Sequence, residues 1–67
     1  MTKIPVVSSN ISSIGYDNSI LEITFLTGDT YQYDNVPTNV YQGLMNASSH
    51  GKYLNEFVKN NYSVRKI

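Results

Sequence analysis

The sequence predicts a small α+β domain, in which an antiparallel β-meander of three to four strands is followed by two short α-helices packed on one face. Three observations predict this fold. Apolar and polar residues alternate in the first half of the chain, which is the period of half-buried strands. After residue 36 the apolar spacing changes to that of an amphipathic helix. The length of 67 residues allows one core at most.

The chain is expected to begin with an extended segment over residues 1–10, because Pro5 disfavours helix and the polar residues that follow favour a bend. A short first strand is predicted over residues 11–17, with Ile14 and Tyr16 on one face. The Asp-Asn-Ser sequence at its end is typical of a turn.

Residues 20–25 form the most clearly predicted strand, because Leu21, Ile23 and Phe25 alternate with polar residues. Gly28 lies in the hairpin turn that follows, where its freedom to adopt a positive φ suits a tight connection. The chain is then expected to return antiparallel to this strand.

The third strand is predicted over residues 30–34, with Tyr31 and Tyr33 on one face. A hairpin register that sets them opposite the apolar face of the preceding strand would bury them, and we expect at least one of the two to be structural. The alternatives left open are a subunit interface and an aromatic platform on which a base stacks.

Two helices are predicted in the second half of the chain. Pro37 suits a first helical turn, since its missing N–H has no partner there. Val40, Leu44 and Ala47 then repeat at helical spacing, and the first helix is expected to end near residue 48.

A second helix is predicted over residues 52–60, and the residues after it are expected to add a short strand or to remain loose. The apolar stripe of this helix consists of Tyr53, Leu54, Phe57 and Val58. Phe57→Ala is expected to unfold the domain, because loss of a buried phenylalanine costs about 3–5 kcal/mol.

The residue types present exclude several kinds of site. The chain has no cysteine and a single histidine, His50, which excludes disulfides, thiolate metal ligands and a zinc site built from histidines. No metal and no cofactor are therefore expected. A core this small usually needs further support, and we expect a homo-oligomer.

Charge and hydropathy limit the partners. Five basic and five acidic residues give zero formal net charge, whereas binding of a long nucleic acid depends on many lysine and arginine contacts with phosphate. A ligand with one or two phosphates needs only a local site. No apolar run approaches the length of a membrane span and the first residues lack a signal-peptide core, so no membrane contact and a cytoplasmic location are expected.

Several short motifs occur in an ordered series along the chain. They are Ser8-Ser9-Asn10-Ile11, Ile14-Gly15-Tyr16-Asp17, the central Tyr31-Gln32-Tyr33, Val36-Pro37, Val40-Tyr41, the stretch from Ala47 to Asn55, and Tyr62 with Arg65 near the end. In this series the chain resembles the KTSC domain family, a small domain found at the C-terminus of some lysyl-tRNA synthetases and as free-standing bacterial and phage proteins. The resemblance covers nearly the whole chain, and a single domain is expected over residues 1–67. It implies a free-standing member, and RNA binding has been suggested for the family.

The strongest candidate for a ligand site lies at the break before the second helix. Its residues are Ser49, Gly51, Lys52 and Tyr53. Unpaired backbone N–H groups at the start of a helix suit one phosphate or another anion, to which Ser49 would add a hydroxyl and Lys52 a charge. The alternative is that Ser49 only caps the helix and Gly51 only permits a tight turn.

Catalysis is not expected. Ser48, Ser49 and His50 are neighbours in sequence, which does not make a nucleophile and a base held by a third group. We therefore expect a non-enzymatic protein that binds a small nucleotide-type ligand. The resemblance to a family with phage members implies one example of such a role, a phage protein that sequesters a nucleotide signal of bacterial defence.

The ligand is expected to lie at a subunit boundary. The side chains expected to converge there from different chains are Tyr31, Tyr33, Lys52 and Arg65. The alternatives are an RNA-binding module, whose affinity would fall steeply with salt, and a protein-interaction module, whose tyrosine surface would meet a partner chain.

Overall fold

The structure is a computed structural model that describes all 67 residues. Its strands are β1 Lys3–Pro5, β2 Ile11–Asp17, β3 Ile20–Phe25, β4 Thr30–Tyr33 and β5 Val64–Lys66. Its helices are α1 Thr38–Asn46 and α2 His50–Tyr53, and α2 continues as a π-helical turn over Leu54–Val58. The five strands form one antiparallel sheet in the order β1-β2-β3-β4-β5, and the helices pack on one of its faces. The predicted α+β class is confirmed.

The sheet has five strands rather than three to four, because both ends of the chain add an edge strand. β1 pairs with β2, with Lys3 opposite Gly15, and β5 pairs with β4, with Arg65 opposite Gln32. Each edge strand has three residues, all of them exposed. Neither edge strand therefore carries the alternation of apolar and polar residues that identifies the inner strands.

A β-bulge in β2 explains why two isoleucines three residues apart both lie in the core. Ile11 is opposite Phe25, but Ser13 is already opposite Thr24, so β2 contains one extra residue between these pairs. An extra residue reverses the alternation of side chains beyond it. Ile11 and Ile14 consequently point to the same face, and both are fully buried.

The two inner hairpins are closed by residues with positive φ. Asp17 is opposite Ile20, which leaves Asn18 and Ser19 as a two-residue loop with φ values of 50° and 64°. Positive φ at both positions is the type I′ geometry that matches the twist of paired strands. Gly28 has a φ of 97°, as predicted for the hairpin turn between β3 and β4.

The register between β3 and β4 determines which side chains form the core. Leu21 is opposite Tyr33 and Ile23 is opposite Tyr31, so all four side chains lie on the face covered by the helices. The helical layer contributes Leu44, Leu54 and Val58 to the same core. The remaining members of this buried cluster are Ile11, Ile14 and Val36.

Tyr16 attaches the first helix to the sheet. Its ring stacks on that of Tyr41 with 4.6 Å between the ring centroids. Its hydroxyl donates a hydrogen bond of 2.5 Å to the carbonyl oxygen of Val36, just before α1. Neither helical segment has the length and hydropathy that crossing a bilayer requires.

The prediction that Phe57 is a core residue is wrong. Its side chain is 51% exposed and lies on the ring of Tyr53, whereas Leu54 and Val58 are buried. The backbone N–H of Lys59 donates to the carbonyl of Leu54, five residues earlier, which is π-helical spacing. The wider turn moves Phe57 out of the stripe predicted from α-helical periodicity. The helical segment also begins and ends about two residues earlier than predicted, at His50 and Val58.

Leu54→Ala and Phe57→Ala are therefore expected to differ in their effect on stability. The free energy of unfolding should fall by about 2–5 kcal/mol in Leu54→Ala, because a buried leucine leaves a cavity. Phe57→Ala should cost about 1 kcal/mol or less, because half of the side chain already contacts solvent. Denaturant unfolding followed by circular dichroism measures both values, and equal losses would contradict this assignment of the core.

Candidate functional site

A groove of about 730 Å³ lies between the helix-covered face of the sheet and the end of the second helical segment. Fourteen residues line it, half of them hydrophobic. Its volume falls within the range of small-molecule sites in proteins. The groove has an aromatic floor, a polar helical wall and a rim formed by two loops.

The floor of the groove consists of aromatic side chains from β3 and β4. Phe25 and Tyr31 meet edge to face, with ring centroids 5.7 Å apart. Tyr33 is 6% exposed, and burial together with the nearby Tyr31 raises the pKa of its phenol. The expectation that at least one of the two tyrosines is structural is confirmed by Tyr33. Tyr31 is only half-buried and lines the groove.

The helical wall carries the polar groups that the sequence analysis did not identify. Asn55, Lys59 and Asn60 line the groove here, followed by Tyr62. Asn60 has a φ of 74°, which ends the helical segment and turns the chain back toward the sheet. A lysine and asparagines at the end of a helix are common, so the sequence alone offered no signal that these residues face tyrosines of β4.

The rim opposite the helical wall is formed by the loop before β2 and the hairpin between β3 and β4. Ser9 and Asn10 come from the first loop, and Leu26, Thr27 and Asp29 come from the second. The two loops are joined by a hydrogen bond of 2.9 Å from the N–H of Leu26 to the carbonyl of Asn10. The rim is thus held in place by backbone contacts and presents hydroxyl, amide and carboxylate groups.

Most of the basic side chains already have carboxylate partners. The ion pairs are Lys3 with Glu22 at 2.9 Å, Arg65 with Asp34 at 2.6 Å, and Lys66 with Asp29 at 3.3 Å. Lys52 and Lys59 have no such partner. Of these two, only Lys59 lines the groove.

The residues predicted to bind an anion before the second helix make hydrogen bonds within the chain. The Ser49 hydroxyl accepts from the N–H of Lys52 at 3.3 Å, and the Ser49 carbonyl accepts from the N–H of Tyr53 at 3.1 Å. Gly51 is buried beneath the side chain of Asn10, where a Cβ would clash. The cap and the tight turn, which the sequence left as the alternative, are both present.

Ser49, Lys52 and Tyr53 also line a shallow pocket of about 210 Å³, separate from the groove. His50 lies beside this pocket, and its Nδ1 is 2.8 Å from the carbonyl oxygen of Leu44 in the last turn of α1. This contact links the start of α2 to the end of α1.

Arg65 lies on the opposite face of the sheet from Tyr31 and Tyr33, so the structure does not bring these residues together within one chain. It donates to both carboxylate oxygens of Asp34 and, at 2.8 Å, to the side-chain oxygen of Gln32. The reason is the register, which pairs Arg65 with Gln32 rather than with a tyrosine. Convergence of Arg65 from a second copy stays a prediction.

Glu22 is the centre of a polar network on this helix-free face. It is only 7% exposed, accepts from Gln32 at 2.7 Å and pairs with Lys3. The hydrogen bond from Lys3, and secondly that from Gln32, lower the pKa of the Glu22 carboxyl. No three side chains of the His, Asp and Glu type lie close enough to hold a metal ion.

Comparison with known proteins places the chain among domains of this architecture. Residues 7–62 match the KTSC domain. The chain belongs to the KTSC domain family. The crystal structure of a KTSC domain protein from Yersinia pestis superimposes with a TM-score of 0.92 and 45% identity, covering 98% of this chain and 96% of that one.

Two bacterial proteins extend the comparison at the sequence level. An uncharacterized protein of Stutzerimonas stutzeri is 39% identical over 61 residues, which is 88% of this chain and 86% of that protein. A protein of Tsukamurella paurometabola is 44% identical over 57 residues, with 82% and 85% covered. The family resemblance read from the ordered motifs is thereby confirmed.

Ser49→Ala and Ser48→Ala separate the capping role from a surface role. Loss of an N-cap hydroxyl costs about 0.5–2 kcal/mol, so Ser49→Ala should lower the free energy of unfolding within that range. Ser48 is exposed and makes no side-chain hydrogen bond, so its substitution is the matched control. Thermal unfolding compares the two variants, and equal stabilities would remove Ser49 from the cap.

Glu22 is expected to make the domain acid-sensitive. Because its pKa is lowered by folding, its contribution is fully present above the ordinary carboxyl pKa of about 4.3 and is lost as the pH falls through the lowered folded value. Urea unfolding between about pH 7 and pH 3 should show a steeper loss of stability in the parent chain than in Glu22→Gln. Identical pH profiles would show that the network does not couple to folding.

Lys3→Gln provides the complementary test of the same network. It removes the principal partner of Glu22 and should therefore lower stability near neutral pH while reducing the loss on acidification. Lys52→Gln also removes one lysine charge, but from a residue with no carboxylate partner, and is the control. The same urea series is used for both.

Proposed function

We propose that this KTSC domain is a non-enzymatic binding protein for a small nucleotide-type ligand, which occupies the groove over the aromatic floor. The observation that carries the proposal is the combination in one groove of half-buried tyrosines, several side-chain amides and one lysine without an ion-pair partner. The aromatic side chains can stack on the base of a nucleotide, and the amides can form hydrogen bonds with the edge of that base. The lysine can bind the phosphate.

The base is placed against the tyrosines. Tyr31 and Tyr62 both line the groove and are only partly buried, so each has ring surface available for stacking, which contributes about 1–3 kcal/mol per base. Asn55 and Asn60 carry both donor and acceptor groups. They are suited to hydrogen bonds along the edge of a stacked base.

The phosphate is placed at Lys59. An ammonium group whose charge is not used elsewhere in the fold is available to a ligand anion, and hydrogen bonds to charged groups contribute about 1.5–3 kcal/mol. Lys52 lies in the separate shallow pocket beside a capped helix start. The proposal therefore assigns to Lys59 the role that the sequence first indicated for Lys52.

A long RNA is less well supported as the ligand. Two of the five basic side chains lack a carboxylate partner, and they line different concavities. Affinity for a polyanion increases with the number of phosphates neutralised, so two separated lysines support little of it. The groove suits a compact ligand better than a strand.

Sequestration of a nucleotide signal is the biological role we propose. It requires a site that holds its ligand and no group that cleaves it. The phage setting of such a role rests on the family resemblance, and a phage member would use the groove to remove a signal of bacterial defence.

Titration calorimetry against linear and cyclic nucleotides tests the proposal. Lys59→Gln should weaken binding of the nucleotides that the parent chain binds by about tenfold or more. Lys52→Gln removes the same charge from the other pocket and should leave the affinity unchanged. Absence of binding by every nucleotide at high micromolar concentration would remove the proposal, and equal losses in the two variants would move the site away from the groove.

Three further measurements address the alternatives. A gel-shift complex with tRNA or single-stranded RNA that weakens with salt and persists in Lys59→Gln would favour an RNA-binding module. Native mass spectrometry reports the number of subunits together with any retained small molecule. A stoichiometric protein partner recovered from cells, with no retained ligand, would favour a protein-interaction module.

A further inference from the structure

We infer that the groove selects nucleotides with a single phosphate group over nucleoside triphosphates. This inference rests on the proposed function, because it specifies the ligand class of the same groove. The inference is based on the charged side chains of the groove and its rim. They provide one positively charged partner for a phosphate and none for further phosphates.

Lys59 supplies the only unpaired full charge of the groove lining. A phosphate monoester carries a charge of about −1.5 to −2 near neutral pH, so one lysine offsets only part of it. Each additional phosphate adds negative charge, and the lining has no second unpaired cation with which to compensate it.

The end of the helical segment opposes further phosphates. Lys59 follows the last helical residue, Val58, and the carbonyl end of a helix carries partial negative charge. The positive charge of Lys59 interacts favourably with this negative end. In the proposed complex, Lys59 binds one phosphate. Apart from Lys59, this end of the helical segment therefore offers further phosphates no positive charge.

The opposite rim offers a carboxylate rather than a cation. Asp29 lines the groove, and its carboxylate is 3.3 Å from the Lys66 ammonium group. Both side chains are about half exposed, at 47% and 58%, so the pair is weak, but it directs the lysine toward the aspartate. Asp29 thus repels a second phosphate at this rim, and its carboxylate pairs with the charge of Lys66.

The experiment compares a nucleoside, its monophosphate and its triphosphate by calorimetry at constant ionic strength without divalent cations. The adenosine, AMP and ATP series is used first, and the guanosine series second. AMP or GMP should bind about tenfold more tightly than the nucleoside, since tenfold corresponds to about 1.4 kcal/mol. The triphosphate should bind no more tightly than the monophosphate.

Asp29→Asn tests the origin of the selectivity. The substitution keeps the shape and one acceptor oxygen for the hydrogen bond from Thr27, but it removes the negative charge and releases Lys66. The affinity for the triphosphate should rise relative to that for the monophosphate by about fivefold. Asp17→Asn removes the same charge from the exposed end of β2, outside the groove, and should leave the ratio unchanged.

The outcomes distinguish this inference from the proposed function. Nucleosides and nucleotides that all fail to bind would remove the proposed function itself. A parent chain that binds ATP or GTP more tightly than the monophosphate, or binds the nucleoside as tightly as the monophosphate, would overturn the inference and leave nucleotide binding in place. An Asp29→Asn variant with the parent ratio would remove Asp29 as the source of selectivity.

Discussion

The antiparallel register of β3 and β4 is the constraint on which both the core and the groove depend. It sets Leu21 opposite Tyr33 and Ile23 opposite Tyr31, so the same face that buries the aliphatic side chains also carries the tyrosines. A slip of one residue would exchange the two faces of β4, moving both rings to the side of Glu22 and Lys3. The hairpin turn at Gly28 therefore determines the composition of the groove as well as the pairing of two strands.

The helical layer is attached to this sheet through few but well-buried side chains. Leu44, Leu54 and Val58 enter the core, and Tyr16 joins the first helix to β2 through a stacked ring and a hydrogen bond. Between and after these buried side chains, the exposed polar residues Asn55, Lys59 and Asn60 line the groove on its helical side.

Much of the fold could be predicted from the sequence, because the inner strands and the first helix carry strong periodic signals. Residues 11–17 and 20–25 have the predicted bounds, and β4 is one residue shorter than predicted. The edge strands were not predicted with the same certainty, since three exposed residues contain no alternation. The π-helical turn was not predicted either, because its altered spacing is visible only in the hydrogen bonds, and Phe57 was misplaced for that reason.

The candidate site could be predicted only in part. Tyr31 was recognised as a candidate because an aromatic pair on a strand is a local feature. Lys59 and Asn60 could not be recognised, because their position depends on how the chain turns after Val58 and returns to β5. The sequence at Ser49 was compatible with a helix cap and with an anion site. Only the hydrogen bonds of the folded chain distinguish these two alternatives.

β5 follows every other strand and helix of the domain in sequence, which has a consequence for synthesis. Tyr62 and Val64 contribute to the groove, and Val64 reaches its place only by pairing with Tyr33, about thirty residues earlier. On a ribosome, the sheet from β1 to β4 and both helical segments would emerge before this pairing forms. A nascent chain would therefore hold an incomplete groove, and the lining would be completed only once β5 has left the exit tunnel.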